Sequence, residues 1–113
     1  GDPEALHTNV LVSVGGGVEV RFVDPRTFGF MAVYTPEEIA ESSLALLGPD
    51  ALDELPTAAE LERRLAGRTA PIKALLLDQR IIAGVGNIYA DEALHRARLS
   101  PLRPGGTLDR AEL

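Results

Sequence analysis

Cysteine is absent from the 113 residues, so neither a disulfide nor a thiolate metal site can form within them; a reducing compartment suits this without being required. Tryptophan is absent as well. With only three Phe and two Tyr, any core must be built from aliphatic side chains. No stretch approaches the roughly 18 consecutive apolar residues of a membrane span, and the opening GDPEALHTN lacks the basic-then-apolar pattern of a secretion signal. The chain therefore reads as soluble, with no membrane partner. His7 and His95 lie too far apart in sequence to make a ligand-spaced cluster, and no metal site is expected here.

What is present is 45% apolar residues, enough for a real core in one modest domain or in pieces of two. The formal net charge of -6 speaks against a nucleic-acid partner only on average. Residues 1–62 carry two Arg against twelve acids, whereas residues 63–113 carry nine Lys/Arg against five acids. A phosphate-binding surface would belong mostly to the second half, with Arg26 as the first half's contribution.

In chain order, His7 to Val14 and Val18 to Val23 alternate β-branched residues around Gly15-Gly16-Gly17, which predicts a hairpin. Phe28 to Tyr34 is expected as a third strand, after Asp24-Pro25-Arg26-Thr27 has left the sheet. Thr35-Pro36-Glu37-Glu38 starts a helix expected to reach about Leu47, before Gly48-Pro49. Residues 48–56 read as a linker. Thr57 caps a second helix with Glu60 completing a capping box, and Gly67 closes it. Pro71 suits the first turn of a buried helix over Ile72 to Gln79. A further helix over about Asn87 to Ala97 is expected to bury Ile88, Ala93, Leu94 and Ala97. Thr107 to Leu113 begins another helix, expected to be cut before any stop signal. The class is α+β: antiparallel strands in residues 1–34 followed by an all-α domain in residues 35–113.

The chain is organised around Ile72 to Arg98, IKALLLDQRIIAGVGNIYADEALHRAR: an apolar helix, a glycine-bracketed turn, and a helix opened by Gly86 and Asn87. Helix N-termini leave backbone amides unpartnered and carry the positive end of the macrodipole, and a turn without β-carbons lets an anion approach. Gly-x-Gly before a helix is also ordinary turn chemistry. The wording goes further: Ile72, Lys73, Leu76, Leu77, Asp78, Gln79, Ala83, Gly84, Gly86, Asn87, Ile88, Tyr89, Asp91, Glu92, Ala93 and Leu94 resemble the helix-two-turns-helix segment of the formamidopyrimidine-DNA glycosylase family. Phe22, Asp24, Pro25, Arg26, Phe28 and Gly29 resemble the strand and loop that precede it there. The resemblance covers most of the chain, and the chain covers less than half of such an enzyme. It implies that residues 1–34 are the last strands of an N-terminal catalytic β-sandwich, and that 35–113 are a DNA-binding domain truncated at its end.

Each candidate residue has a plain reading beside the functional one. Asn87 is either a helix cap or, as the resemblance implies, a ligand with Gly86 of a phosphate flanking the damaged nucleotide. Lys73 either lays its stem on apolar surface with its ammonium in water or aims that ammonium at DNA; an amine nucleophile is a third, bolder reading. Arg26 and Phe28 are a solvated turn residue and a first core residue, or the pair that fills the gap left by an extruded base and meets its orphaned partner. Thr27 stands where many family members carry a second Arg. Asp91 and Glu92 read as acids of a helix's first turn rather than a catalytic pair, and His95 as packing or surface.

The family's nucleophile is an N-terminal proline amine followed by glutamate. Pro3-Glu4 imitates this, but Gly1 and Asp2 precede it, so Pro3 is an amide. The family's four-cysteine zinc finger cannot come from a chain without cysteine. The resemblance thus implies a parent enzyme, a glycosylase and abasic-site lyase acting on oxidised purines such as formamidopyrimidine and 8-oxoguanine. That enzyme would act as a monomer in the bacterial cytoplasm, associated with the nucleoid through damaged or abasic double-stranded DNA, and would carry zinc in its missing finger. This chain alone is expected to bind without catalysing. A non-catalytic duplex binder of helix-hairpin-helix type would share the GVGN grip but not the Arg26/Phe28 pair. A structural or protein-interaction domain would need neither.

Overall fold

The structure, a computed structural model, describes residues 5–113, so the Pro3-Glu4 pair lies outside the described residues. The fold is α+β, and the chain divides into two compact units, residues 1–34 and 35–113.

The first unit is a hairpin of β1 (Thr8–Ser13) and β2 (Glu19–Val23), paired antiparallel with Leu11 opposite Arg21 and an irregularity between Thr8 and Val10. Gly15, Gly16 and Gly17 all take positive φ, the handedness that the reversal demands. The expected third strand over Phe28 to Tyr34 does not form: this segment is irregular and exposed. A strand needs a ladder. Among the described residues β1 and β2 form the only sheet, and the Asp24 carboxylate takes the Gly29 amide near the start of the expected third strand.

The second unit begins with α1 (Pro36–Glu41), capped by Thr35 in a reciprocal capping box with Glu38. It stops well short of Leu47 because Ser42 adopts extended backbone and recaps the chain: its hydroxyl accepts the Leu44 amide and starts a 3₁₀ turn over Ser43–Leu46. Helix α2 (Ala58–Leu65) carries the expected Thr57/Glu60 box, with basic Arg63 and Arg64 in its last turn. Helix α3 (Ile72–Leu77) is shorter than its apolar run, and Pro71 stands just before its first residue rather than inside it. Asp78 then turns extended, its carbonyl accepting the Ile81 amide at 2.8 Å. Helix α4 (Asn87–Ala97) ends at Arg98, which is left-handed at φ 57.

The core is wholly aliphatic: Leu65, Ile72, Leu75, Ile81, Leu94 and Leu108 cluster together, and no polar side chain is buried among the described residues. Each such burial stabilises by about 1.5–3 kcal/mol. From α4 only Ala90 and Leu94, one turn apart, reach this core, whereas Ile88, Ala93 and Ala97 are exposed, contrary to the sequence-based face. The last segment is not a helix. After a 3₁₀ turn at Gly105–Thr107, Asp109 accepts the amides of Ala111 and Glu112 and holds them in a side-chain turn. Glu112 in turn pairs with Arg103.

Candidate nucleic-acid interface

The helix-turn-turn-helix segment is assembled by short-range polar contacts around a buried hinge. Asp78 accepts three hydrogen bonds from Arg80, from its backbone amide at 3.1 Å, Nε at 2.8 Å and Nη2 at 2.7 Å, and these hold the carboxyl down at about 2. Ile81 and Ile82 then drop into the interior. A strap at residues 48–51 runs alongside: the Gly48 amide donates to the Gln79 carbonyl, the Ala83 amide to that of Pro49 and the Ala51 amide to that of Ala83, all within 2.8–2.9 Å. Only glycine fits at 48, because a β-carbon there would lie 2.7 Å from the Arg80 carbonyl oxygen.

The second turn is held by Gln79. Its Oε1 accepts the Gly84 amide at 2.8 Å, and its Nε2 donates to the carbonyls of Val85 at 3.0 Å and Leu77 at 3.2 Å. Gly84 sits at φ 91, where a side chain would be strained. Gly86 does not need glycine for its backbone, at φ -104, and nothing approaches the space where its β-carbon would be. Its lack of a side chain leaves open room in front of α4.

That room is where the chemistry lies. Gly86 is the cap residue of α4, and neither it nor Asn87 provides a side-chain cap, so the plain reading of Asn87 as a cap does not hold. The Gly86 carbonyl accepts the Ala90 amide at 2.9 Å, while the amides of Gly86, Asn87, Ile88 and Tyr89 have no acceptor among the described residues. All four residues are exposed. The N-terminus of α3 is the opposite case: its Ile72 and Lys73 amides donate to the carbonyls of Arg103 and Pro101. One end is sealed and the other is free to meet an anion with four amides, a carboxamide and the helix dipole.

Lys73 does not stand free. Its ammonium is held by both oxygens of Asp91, at 2.7 and 2.9 Å, tying α3 to α4. Because Asp91 lies four residues after Asn87, the ammonium sits on the Asn87 face of α4, one turn in. With its nitrogen engaged by a carboxylate, the nucleophile reading of Lys73 gains nothing. Asp91 and Glu92 fall in the second turn of α4, not its first, so Asp91 serves as a partner for lysine. Beside the turn runs an apolar groove of about 760 Å³ lined by residues such as Leu52, Leu55, Leu76, Ile82 and Tyr89. No Arg or Lys lines it, so it offers nothing to phosphate.

In the first unit, the loop after β2 presents Arg26 and Phe28 together. The guanidinium carbon lies 5.6 Å from the centre of the phenyl ring, and that ring is 83% exposed. Phe28 is thus not a core residue. Thr27 between them is left-handed at φ 55. Sequence reasoning assigned no task to Gln79 or Asp24, the two side chains that shape the two loops. Their signal was available, since Asn, Gln and Asp beside turn glycines bond nearby backbone.

A family model described as the formamidopyrimidine-DNA glycosylase H2TH domain matches residues 47–113. The chain is 50% identical over 113 residues to a formamidopyrimidine-DNA glycosylase of Desulfitobacterium hafniense (strain DSM 10664 / DCB-2), covering 99% of this chain and 41% of that protein. It is 50% identical over 103 residues to one from Rhodospirillum rubrum, covering 90% of this chain and 37% of that protein. The crystal structure of the MutM (Fpg) protein from Thermus thermophilus superposes with a TM-score of 0.85 at 44% identity, covering 97% of this chain and 41% of that one. The chain thus spans about two fifths of the length of the relatives it matches.

Proposed function

The chain belongs to the formamidopyrimidine-DNA glycosylase family, and from that premise we propose that it is the DNA-binding part of a bifunctional glycosylase and abasic-site lyase that removes oxidised purines. Its partner is double-stranded DNA carrying a damaged base or an abasic site. The observation that carries the reading is the set of amides over Gly86 to Tyr89, which have no acceptor among the described residues. Asn87 and this amide set grip one phosphate, the Lys73 ammonium, shared with Asp91, lies on the same face one turn further on, and Arg26 and Phe28 fill the gap when a nucleotide leaves the stack.

Catalysis lies elsewhere in the longer protein. Pro3 is acylated in this chain, and no other residue here takes the nucleophile's role. The family's zinc finger does not fit these residues either, since its cysteine ligands are absent. We assign it to the remainder of the protein, which acts as a monomer. The paired, exposed Arg26 and Phe28 favour a base-extruding enzyme over a plain helix-hairpin-helix duplex binder.

Fluorescence anisotropy of the full-length protein on abasic-site duplexes tests the phosphate grip. Asn87→Ala removes one hydrogen bond to a charged group, so affinity falls roughly tenfold or more whatever the surrounding sequence. A variant within twofold of the parent protein on every duplex would overturn the assignment.

A further inference from the structure

The Arg26/Phe28 loop has a single organiser. Asp24 Oδ1 accepts the Arg26 amide at 3.1 Å and Oδ2 accepts the Gly29 amide at 2.6 Å. The Asp24 carbonyl accepts the Thr27 amide and the Asn9 side chain, both at 3.3 Å. Of the amides from Arg26 to Gly29, only that of Phe28 does not donate to Asp24. The organiser is itself fixed to the hairpin, because the Asp24 amide donates to the His7 carbonyl at 3.1 Å. A left-handed Thr27 costs about 1 kcal/mol or more, and it persists where its neighbours are pinned on both sides. Gly29 is part of the clamp: a β-carbon there would stand 2.7 Å from the Phe22 ring and 3.0 Å from Asp24 Oδ2.

Resting on the functional reading above, we propose that Asp24 is a positioning residue for base extrusion. Its carboxylate bridges the amides on either side of Phe28 and so sets the direction and spacing of the guanidinium and the ring before DNA arrives. A wedge that is already ordered loses little conformational entropy on entering the helix, so more of its contact energy supports the extruded state. Asp24 touches neither base nor sugar. It acts through the backbone amides of Arg26 and Gly29, which bracket Phe28.

The test uses the full-length protein with Asp24→Asn, Gly29→Ala and Phe28→Ala, on duplexes carrying 8-oxoguanine beside a 2-aminopurine reporter and on duplexes with a preformed abasic site. Asp24→Asn preserves shape but exchanges one accepting oxygen for a donor, and Gly29→Ala opens the clamp by pressing a β-carbon against the Phe22 ring and Asp24 Oδ2 while leaving both carboxylate oxygens in place. Each should lower the 2-aminopurine extrusion signal and single-turnover excision about tenfold, the equivalent of one charge-assisted hydrogen bond. Affinity for the preformed abasic site, where the gap already exists, should stay within about threefold at an unchanged melting temperature. Extrusion within twofold of the parent protein in folded Asp24→Asn overturns the proposal. So does an equal loss on both duplexes together with a lowered melting temperature, which marks a merely structural role. Phe28→Ala separates the two levels. If it alone impairs extrusion, Asp24 is not the positioning residue, whereas if it too is silent, the wedge reading itself fails.

Discussion

Replacing Asp91 by Asn should make DNA binding tighter and more salt-dependent. Asp91 holds the Lys73 ammonium with both carboxylate oxygens on the α4 face shared with Asn87. The pair is half open to water, with side-chain exposures of 32% and 58%, so its loss should cost no more than about 1 kcal/mol of stability. The electrostatic effect on binding is of comparable size and opposite in sense. At a rise of 1.5 Å per residue, the freed charge lies about 6 Å along the helix from the open amides. A unit charge at that distance from a phosphate in water is worth about 0.7 kcal/mol, or roughly threefold in affinity. If the released ammonium turns to a phosphate, the slope of log affinity against log salt steepens by about 0.9. Anisotropy titrations of the full-length protein from about 50 to 200 mM salt measure both quantities. Lys73→Gln in the Asp91→Asn background should return the slope to that of the parent. Parental affinity and slope in Asp91→Asn would refute the reasoning, since that face of α4 could not then lie along the phosphate strand.

Acid should loosen the second unit in a defined window. The Asp78 carboxyl is lowered from 3.8 to about 2 by its hydrogen bonds from Arg80, so its contribution is complete above 3.8 and is lost as pH falls through about 2. Glu60, lowered by the Thr57 amide, and Glu112, lowered by the Arg103 guanidinium, act in the same direction. Circular dichroism over that range should show Asp78→Asn losing less stability than the parent protein, and identical acid profiles would contradict this. Leu94→Ala removes the one large α4 side chain in the core and should cost about 2–5 kcal/mol in chemical denaturation. A loss below about 1 kcal/mol would mean that α4 is not anchored there.

Features whose bonds close within a few residues were legible before any coordinates. The Thr35/Glu38 and Thr57/Glu60 boxes join positions three apart, and the hairpin follows from three adjacent glycines. The glycine-bracketed turn before α4 was equally plain, and the paucity of aromatics already required the aliphatic core that the clustered leucines and isoleucines form. Where an expected strand or helix failed to form or ended early, a nearby polar side chain had captured the backbone. Ser42 recapped the end of α1, Asp109 pulled residues 109–112 out of a helix, and Asp24 took the Gly29 amide near the start of the expected third strand.

Tertiary structure alone decided the rest. Residues 18 apart in sequence, Lys73 and Asp91 could meet only once α3 and α4 had packed, so no local pattern announced that the lysine would be neutralised. Nor did periodicity say which stripe of α4 would be covered: Ala90 and Leu94 won because the α3 side supplied the apolar wall, and Ile88 was left in solvent. A chain's own letters determine which short-range bonds are available to it. Which helix end stays open to an anion is settled by what else folds against it, and here residues 101–103 seal α3 while nothing among the described residues covers the amides of α4.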